Sequence, residues 1–198
     1  MTQTVEYQKH YYPGTREELV AKVKAQVSQK RFDHILGVEQ AAIELAKANN
    51  FDVEAASVAA LVHDYAKERS AEEFCNVIKA KGLAPDLLNW NNFIWHGVVG
   101  AEIIKDELKI TDDTILNAVR HHTVGAPQMS TLDQIVYVAD FIEAGRDFPG
   151  VSEAREIAAK DLTAAVSFET KHTLLYLLNG NKTIYPAAIL TYNAYVAK

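Results

Sequence analysis

Six side chains that commonly bind metal ions occur along the chain in the order histidine, histidine–aspartate, histidine, histidine, aspartate. They are His34, His63, Asp64, His96, His122 and Asp140. Imidazole nitrogens and carboxylate oxygens are the usual protein ligands of zinc, manganese and non-haem iron. Six such groups are too many for one tetrahedral ion that must keep a coordination position open. The set therefore predicts a pair of metal ions, and a carboxylate can bridge such a pair.

The apolar surroundings of two candidates favour the metal interpretation. Asp140 lies within IVYVADFIEAG, and the pair His63-Asp64 directly follows the apolar run AALV. A carboxylate in such surroundings is costly unless a partner offsets its charge, and a cation is one such partner. Taken singly, each residue is more often an ordinary core residue, so the interpretation depends on the complete ordered set.

The remaining histidines are expected to be structural. His10 lies in the polar N-terminal segment, and His172 lies in an otherwise ordinary helical stretch. His121 and His122 are adjacent, so their side chains point about 100° apart on a helix. Only one of these two is therefore expected to face a shared ion.

Helices must position these side chains, because helical signals dominate the whole chain. Helix starts are predicted at Thr15 and Ser70 from capping boxes, and at Asp112 or Asp113, Ser130 and Pro186 from single residues. Continuous helices are predicted over about 31–48, 53–67, 96–108 and 152–178. No stretch shows a sustained period of two with turn signals at both ends, which would indicate strands.

These patterns predict an all-α fold in one domain of packed helices. The domain is predicted to span 1–198, with 1–14 as an N-terminal extension and a core of about 15–198. No linker, internal repeat or low-complexity tract interrupts it.

The composition argues against several classes of protein. The net charge of −6 disfavours a broad surface for DNA or RNA. The single cysteine, Cys75, rules out an intrachain disulfide framework and is typical of a reducing cytoplasm. The start, MTQTVEYQKHYYPG, lacks the apolar segment of a secretory signal, and no apolar run approaches a membrane span. We therefore expect a soluble, cytoplasmic protein without nucleic-acid or membrane partners, whose apolar pattern would serve a homodimer face as well as a core.

The order of the six candidates along an all-helical chain resembles that of the HD-domain metal-dependent phosphohydrolases. The strings RFDHILGV, ALVHDYAKE, WHGVVGAEI and HHTVG, followed by ADFIEAGRDFPGV, narrow the resemblance to the YqeK family. That family is described as symmetrical bis(5′-nucleosyl)-tetraphosphatases, which hydrolyse diadenosine tetraphosphate to two ADP. The resemblance covers about residues 20–195 and implies a helical HD-domain fold with a two-metal site among the core helices.

The resemblance also implies roles for individual residues. All six candidates would ligate metal, Asp64 would bridge the two divalent ions, and His121 would be only a neighbour. The implied metal is iron, although manganese and zinc accept similar ligands. Asp64 and Lys67 are the implied catalytic residues. Contacts with the nucleotide are implied for Arg31, Lys67, Thr123, Arg146, Thr183, Ile184 and Tyr185.

These roles fit the hydrolysis of a phosphoanhydride. Two divalent ions would lower the pKa of a shared water, and the resulting hydroxide would attack phosphorus in line. Lys67 follows Asp64 by three residues, so it can lie one helical turn from the metals and reach a phosphate. Arg31 precedes His34 by the same interval and offers a planar fork to a phosphate. Arg146 follows a glycine in a turn, where ligand-gripping residues are common.

Several alternatives stay open at this point. A related phosphohydrolase could act on a guanosine polyphosphate or a deoxynucleoside triphosphate. Paired iron on a similar scaffold can serve an oxygenase, although Arg31, Lys67 and Arg146 favour a phosphate ligand. A nucleotide-binding sensor without turnover is a further alternative, although the ligand set is complete. Tyr185 stands where the family usually has histidine, and Ala144 where it usually has proline, which leaves the exact nucleotide preference open.

Overall fold

Helices form the regular structure of residues 5–197, the part of the chain that the computed structural model describes. No strand occurs within these residues, and the predicted all-α fold is confirmed. The α-helices are α1 Arg16–Lys24, α2 Gln29–Ala48, α3 Val53–Val62, α4 Ala71–Ala80, α5 Asn92–Val98, α6 Gly100–Leu108, α7 Asp113–His121, α8 Thr131–Ile142, α9 Val151–Ala158, α10 Leu162–Asn179 and α11 Pro186–Tyr195, with a 3₁₀ helix at Pro85–Asn89.

The predicted helix starts are confirmed by their caps. Thr15 and Ser70 each form a complete capping box with the glutamate three residues later. Ser130 and Asp112 accept hydrogen bonds from backbone N–H groups in the first turns of α8 and α7. Pro186 is the first residue of α11. Caps of this kind satisfy N–H groups that have no partner inside the helix.

The third helix is shorter than predicted, because it stops just before two of the candidate ligands. The sequence predicts a helix over 53–67, but α3 ends at Val62. In its last turn, the carbonyl oxygen of Ala60 accepts the ring N–H of His63 over 2.6 Å. The backbone then continues in tighter turns, and Lys67 N donates to the carbonyl oxygen of Asp64 over 2.9 Å. His63 and Asp64 therefore extend from a helix end, where carbonyl groups need partners from outside the helix.

Two further predicted helices are each divided in two. The helix predicted over 96–108 is divided at Val99, whose carbonyl oxygen accepts the backbone N–H of Glu102 over 3.0 Å. The helix predicted over 152–178 is divided before Asp161, whose carboxylate accepts a backbone N–H from the first turn of α10. Turn and capping chemistry of this kind is not visible in the hydrophobic period, which continues across both breaks.

The core forms around α3, which packs against α2, α7 and α8. Every residue from Glu54 to Val62 is buried. Around it, α2 and α7 each also contact α8. Because α3 is buried along its length, its carboxyl end meets the inner faces of neighbouring helices rather than solvent. The candidate ligands gather at that end.

The segment predicted as an N-terminal extension packs against α3. The carboxylate of Glu54 accepts the backbone N–H groups of Gln8 and Lys9 over 2.8 and 2.9 Å. Residues 1–4 and 198 of the predicted domain lie outside the described residues, so the domain boundaries stay a prediction.

Two other sequence expectations concern Cys75 and membrane spans. Cys75 lies half-buried on α4 and contacts the hydrophobic core, as expected of a boundary residue. Across residues 5–197, the length and polarity of the helices do not suit any of them to cross a membrane.

Candidate metal centre

All six candidate ligands converge beside the carboxyl end of α3, and we call them the hexad. His34 lies on α2, His63 and Asp64 after α3, His96 on α5, His122 at the end of α7 and Asp140 on α8. Their donor atoms form three overlapping groups, and within each group the atoms lie within 4.8 Å of one another. The groups are His34, His63 and Asp64; His63, His122 and Asp140; and Asp64, His96 and His122.

Backbone carbonyl groups fix the ring orientation of three of these histidines. Nδ1 of His63, His96 and His122 lies 2.6, 2.6 and 2.7 Å from a carbonyl oxygen three or four residues earlier. Because a carbonyl oxygen only accepts, Nδ1 carries the hydrogen in each ring and Nε2 keeps a free lone pair. This is the tautomer that a metal-ligating histidine needs, with its second nitrogen held by an outer partner.

A buried carboxylate holds the fourth histidine in the same way. His34 Nδ1 donates to Glu143 Oε1 over 3.1 Å. The second carboxylate oxygen of Glu143 accepts the backbone N–H of Gly145 over 2.6 Å. At Gly37, one turn after His34, an added Cβ would lie only 2.5 Å from Glu143 Oε2, so the glycine leaves room for this carboxylate. Sequence reasoning missed Glu143, because only the fold brings it to His34.

Asp64 faces two sets of imidazoles with its two oxygens. Oδ2 lies 3.8 Å from His34 Nε2 and 3.5 Å from His63 Nε2. Oδ1 lies 3.5 Å from His96 Nε2 and 3.7 Å from His122 Nε2. A carboxylate arranged in this way can bind a separate cation through each oxygen.

The hexad contains polar atoms that a bound cation would satisfy. His96 Nε2 and His122 Nε2 lie 3.0 Å apart, and each carries a lone pair. Within residues 5–197, His63 Nε2 and Asp64 Oδ1 are buried without a hydrogen-bond partner. Unsatisfied buried groups of this kind are costly. Because imidazole nitrogen and carboxylate oxygen are good ligands for divalent transition metals, the residues present fit a metal centre.

The local electrostatics favour the metal-binding forms of these ligands. Burial raises the pKa of Asp64, but the interactions with His63 and His122 lower it by a larger amount. The pKa of Asp64 therefore lies well below its usual value. Burial lowers the pKa of His96 to about 3, and the positive charge of Lys67 contributes to that shift. An ionised carboxylate and a neutral imidazole are the forms that bind metal.

Four of the residues predicted to contact nucleotide border the hexad. Arg31 and Arg146 donate to the carboxylates of Asp64 and Asp140 over 2.8 and 2.5 Å. Lys67 Nζ and Thr123 Oγ1 lie 2.9 and 3.0 Å from Nε2 of a hexad histidine. Three positively charged side chains and a hydroxyl group thus surround one point, where they could bind phosphate oxygens.

The turn that carries Arg146 is held in place by Arg155, a residue that sequence reasoning missed. The Arg155 guanidinium on α9 donates to the carbonyl oxygens of Ile142, Glu143 and Arg146 over 2.8, 2.8 and 2.9 Å. Several donors on one rigid planar group suit a cluster of carbonyl oxygens. No local pattern around Arg155 signals this role.

The remaining histidines point away from the hexad. His121 Nδ1 lies 3.2 Å from a carboxylate oxygen of Asp133 on α8. His172 packs against the aromatic rings of α8 and the following turn, and its Nε2 donates to the carbonyl oxygen of Pro149 over 2.9 Å. His10 is exposed in the N-terminal segment.

The predicted nucleotide contacts at Thr183, Ile184 and Tyr185 form the approach to α11. Thr183 is exposed, whereas Ile184 and Tyr185 are half-buried. The Tyr185 ring meets the Trp90 ring edge-on, with a centroid distance of 4.8 Å. Tyr185 therefore has an aromatic partner at the position where the YqeK family usually has histidine, and its contact with nucleotide stays a prediction.

Comparisons with known proteins give matches over most of the chain. Residues 31–145, which include the whole hexad, match the model of the HD domain. The symmetrical bis(5′-nucleosyl)-tetraphosphatase of Bacillus subtilis (strain 168) is 42% identical over 178 residues, which cover 90% of this chain and 96% of that protein. The protein of the same name from Halalkalibacterium halodurans is 38% identical over 178 residues, which cover 90% of this chain and 95% of that protein.

A solved structure has the same arrangement of helices. It comes from Clostridium acetobutylicum and is described as a predicted HD superfamily hydrolase involved in NAD metabolism. The superposition has a TM-score of 0.87 at 32% sequence identity, and it covers 93% of this chain and 98% of that chain. The likeness therefore extends over nearly the full length of both chains.

Proposed function

The chain belongs to the HD domain family, among the symmetrical bis(5′-nucleosyl)-tetraphosphatases of YqeK type, and from this premise we propose that it hydrolyses diadenosine tetraphosphate (Ap4A) to two ADP. One observation of the site supports the proposal above the others. Asp64 presents one oxygen toward His34 and His63 and the other toward His96 and His122. A carboxylate shared in this way could serve as a ligand to two neighbouring ions.

In this proposal the hexad would hold two divalent ions, and Asp64 would be the ligand that they share. When bound, the ions supply hydroxide from water at neutral pH and neutralise charge on the phosphoryl oxygens. We propose iron as the metal because of the resemblance to the YqeK family, with manganese and zinc as competitors for the same ligands. Glu143 and the backbone carbonyls orient the rings from outside, so the imidazoles need little rearrangement when metal binds.

The positively charged side chains around the hexad bind and stabilise the phosphates. Arg31 and Arg146 each pair with a hexad carboxylate, and their guanidinium groups could also donate to phosphate oxygens of a bound nucleotide. Lys67 lies against His96 and 3.9 Å from Oδ1 of Asp64, whereas Arg31 bonds Oδ2 of the same carboxylate. Fixed cations placed where negative charge develops stabilise the transition state, because they need no reorganisation during the reaction. Thr123 adds a hydroxyl donor at the same point.

A substrate panel tests the proposed activity against its alternatives. Metal-loaded protein is incubated with Ap4A, guanosine tetraphosphate and dGTP, and products are separated by ion-exchange chromatography. The proposal predicts the highest kcat/KM for Ap4A and no oxygen consumption. Faster hydrolysis of either other nucleotide would assign the same chemistry to a different substrate, and bound nucleotide without product would indicate a sensor.

The metal assignment has its own test, which does not depend on turnover. The protein is treated with a chelator, reloaded with Fe²⁺, Mn²⁺ or Zn²⁺ separately, and analysed for metal content. Two ions per chain are expected for wild type, and fewer for Asp64→Ala, because the shared ligand is lost. One ion per chain in wild type at saturation would contradict the bridging role.

A further inference from the structure

Two cavities open at different edges of the hexad. The first, which we call the ring cavity, has a volume of about 820 Å³ and includes His122 and Asp140 in its wall. The second, which we call the polar cavity, has a volume of about 620 Å³ and includes His34 in its wall. Arg146 lines both cavities. A substrate that lies across the hexad can therefore extend into both.

The ring cavity has an aromatic wall. Phe141, Phe148, His172 and Tyr176 line it, and the rings of the first three pack on one another with centroid distances between 4.8 and 5.6 Å. Tyr176 extends the wall toward solvent, with 59% of its surface exposed. Stacking on aromatic side chains is a common way to bind a nucleobase, because every base has a π face.

The polar cavity lacks such a wall. Among the described residues that line it, none is phenylalanine, tyrosine or tryptophan. Lys30, Arg31 and Arg146 supply positive charge there. Three acidic residues also line the cavity, but each already accepts hydrogen bonds within the protein. Asp33 accepts from Gln29, Glu68 accepts from Ser28, and Glu143 accepts from His34 and Gly145.

We infer that the two halves of the dinucleotide bind unequally, an inference that rests on the proposed function. The ring cavity takes one nucleoside by stacking its base on the aromatic wall. The polar cavity takes phosphate groups of the other half by Lys30, Arg31 and Arg146, and its described lining offers the base of that half no aromatic side chain on which to stack. The substrate is symmetrical, but the site that binds it is not.

The products of a symmetrical substrate cannot reveal this asymmetry, because both halves give the same product. Water adds across the central P–O–P bond, its oxygen joins one of the two central phosphorus atoms, and the bridging oxygen leaves with the other half. The released protons pass to solvent. Either orientation of Ap4A gives two ADP, so a substrate with two different bases is needed to distinguish the halves.

A mixed dinucleotide in water labelled with oxygen-18 provides that test. Adenosine-uridine tetraphosphate (Ap4U) is hydrolysed by the metal-loaded protein, and mass spectrometry measures the label in ADP and UDP. Adenine stacks more strongly than uracil because its ring system is larger, so adenine should occupy the ring cavity in most turnovers. We expect the label in one of the two products to exceed that in the other by about fivefold or more.

Two variants assign the effect to the cavities. Phe148→Leu removes part of the aromatic wall, and it should bring the label ratio close to one. Lys30→Met removes a charge from the polar cavity, and it should raise KM while leaving the label ratio unchanged. An unchanged ratio in Phe148→Leu would show that the aromatic wall does not select the base.

The outcomes separate this inference from the proposed function. An even distribution of label in rapidly hydrolysed Ap4U would overturn unequal binding and leave the tetraphosphatase activity intact. Hydrolysis of Ap4A without hydrolysis of Ap4U would also overturn it, because the polar cavity would then select its base. If neither dinucleotide were hydrolysed, the proposed function itself would fail, and this inference with it.

Discussion

His34 donates a hydrogen bond to Glu143 across 109 positions of sequence, and the same imidazole ring turns its Nε2 to within 3.1 Å of Asp140. One residue on α2 is thus held between two carboxylates from the end of α8. The outer carboxylate sets the tautomer, and the inner one belongs to the hexad. Glu143 is therefore an outer partner of the candidate metal centre, although it is not a member of the hexad.

Removal of Glu143 is expected to weaken metal binding without removing a ligand. In Glu143→Ala, the His34 ring loses its outer partner, and we expect metal affinity to fall by about 10- to 100-fold. Glu143→Gln should show a smaller loss, because the amide oxygen still accepts from Nδ1 but carries no charge. Metal titration monitored by elemental analysis measures both. Glu72→Ala, on the exposed surface of α4, serves as the control, and an equal loss there would contradict the assignment.

Gly37→Ala is expected to disturb the same carboxylate from the other side. The new Cβ would meet Glu143 Oε2 at 2.5 Å, so the carboxylate must move away from His34. Alanine favours helix over glycine by about 1 kcal/mol, so this variant should lose metal affinity without losing helix stability. In the double variant Gly37→Ala/Glu143→Ala, the glycine substitution should have no further effect on metal affinity. Additive losses would show that Gly37 acts by another route.

Arg155→Met is expected to loosen the turn that carries Arg146. The carbonyl oxygens of Ile142, Glu143 and Arg146 lose a charged donor, and we expect the free energy of unfolding to fall by about 2–4 kcal/mol. The side chain of Arg146 is then held less firmly. The fold increase in KM for Ap4A should therefore exceed the fold loss of metal affinity. Urea denaturation and steady-state kinetics measure the two effects. A stable variant with unchanged KM would contradict the role of Arg155.

Glu169 is expected to reduce stability as the pH rises. Burial, and then the negative charge of Asp140, hold the pKa of this carboxyl well above its usual value of 4.5. Above pH 4.5 the unfolded chain releases the proton while the folded chain retains it, so folding loses about 1.4 kcal/mol per pH unit until the folded pKa is reached. Glu169→Gln should therefore be more stable than wild type at pH 8, and the gap should narrow at pH 5.5. Denaturant unfolding at both pH values tests this, and an equal gap would contradict it.

The sequence predicted those features that depend on residues close together along the chain. The caps at Thr15, Ser70 and Ser130 predicted helix starts correctly, because capping depends on residues within one turn. The order of the six candidates also predicted a shared site, and the fold brings all six together. The 100° step of a helix predicts that only one of His121 and His122 faces the site, and the family resemblance implied His122. His121 indeed turns toward Asp133.

The sequence was uninformative where side chains act on distant backbone. The bond from the His63 ring to Ala60, which accompanies the early end of α3, is invisible in the hydrophobic pattern. The contacts of Glu143 and Arg155 depend on how α2, α8 and α9 pack, so no spacing in the sequence predicts them. The aromatic wall of the ring cavity is likewise assembled from separate elements, with Phe148 in a turn and Tyr176 on α10.

The most direct test of the account is the identity of the products that wild type and Asp64→Ala form from Ap4A. Both proteins are loaded with metal, checked for equal helix content by circular dichroism, and assayed with products separated by ion-exchange chromatography. ADP is expected as the sole product of wild type, and the variant is expected to lose activity because the shared ligand of both ions is gone. AMP with ATP from wild type, or undiminished ADP formation by Asp64→Ala, would contradict it.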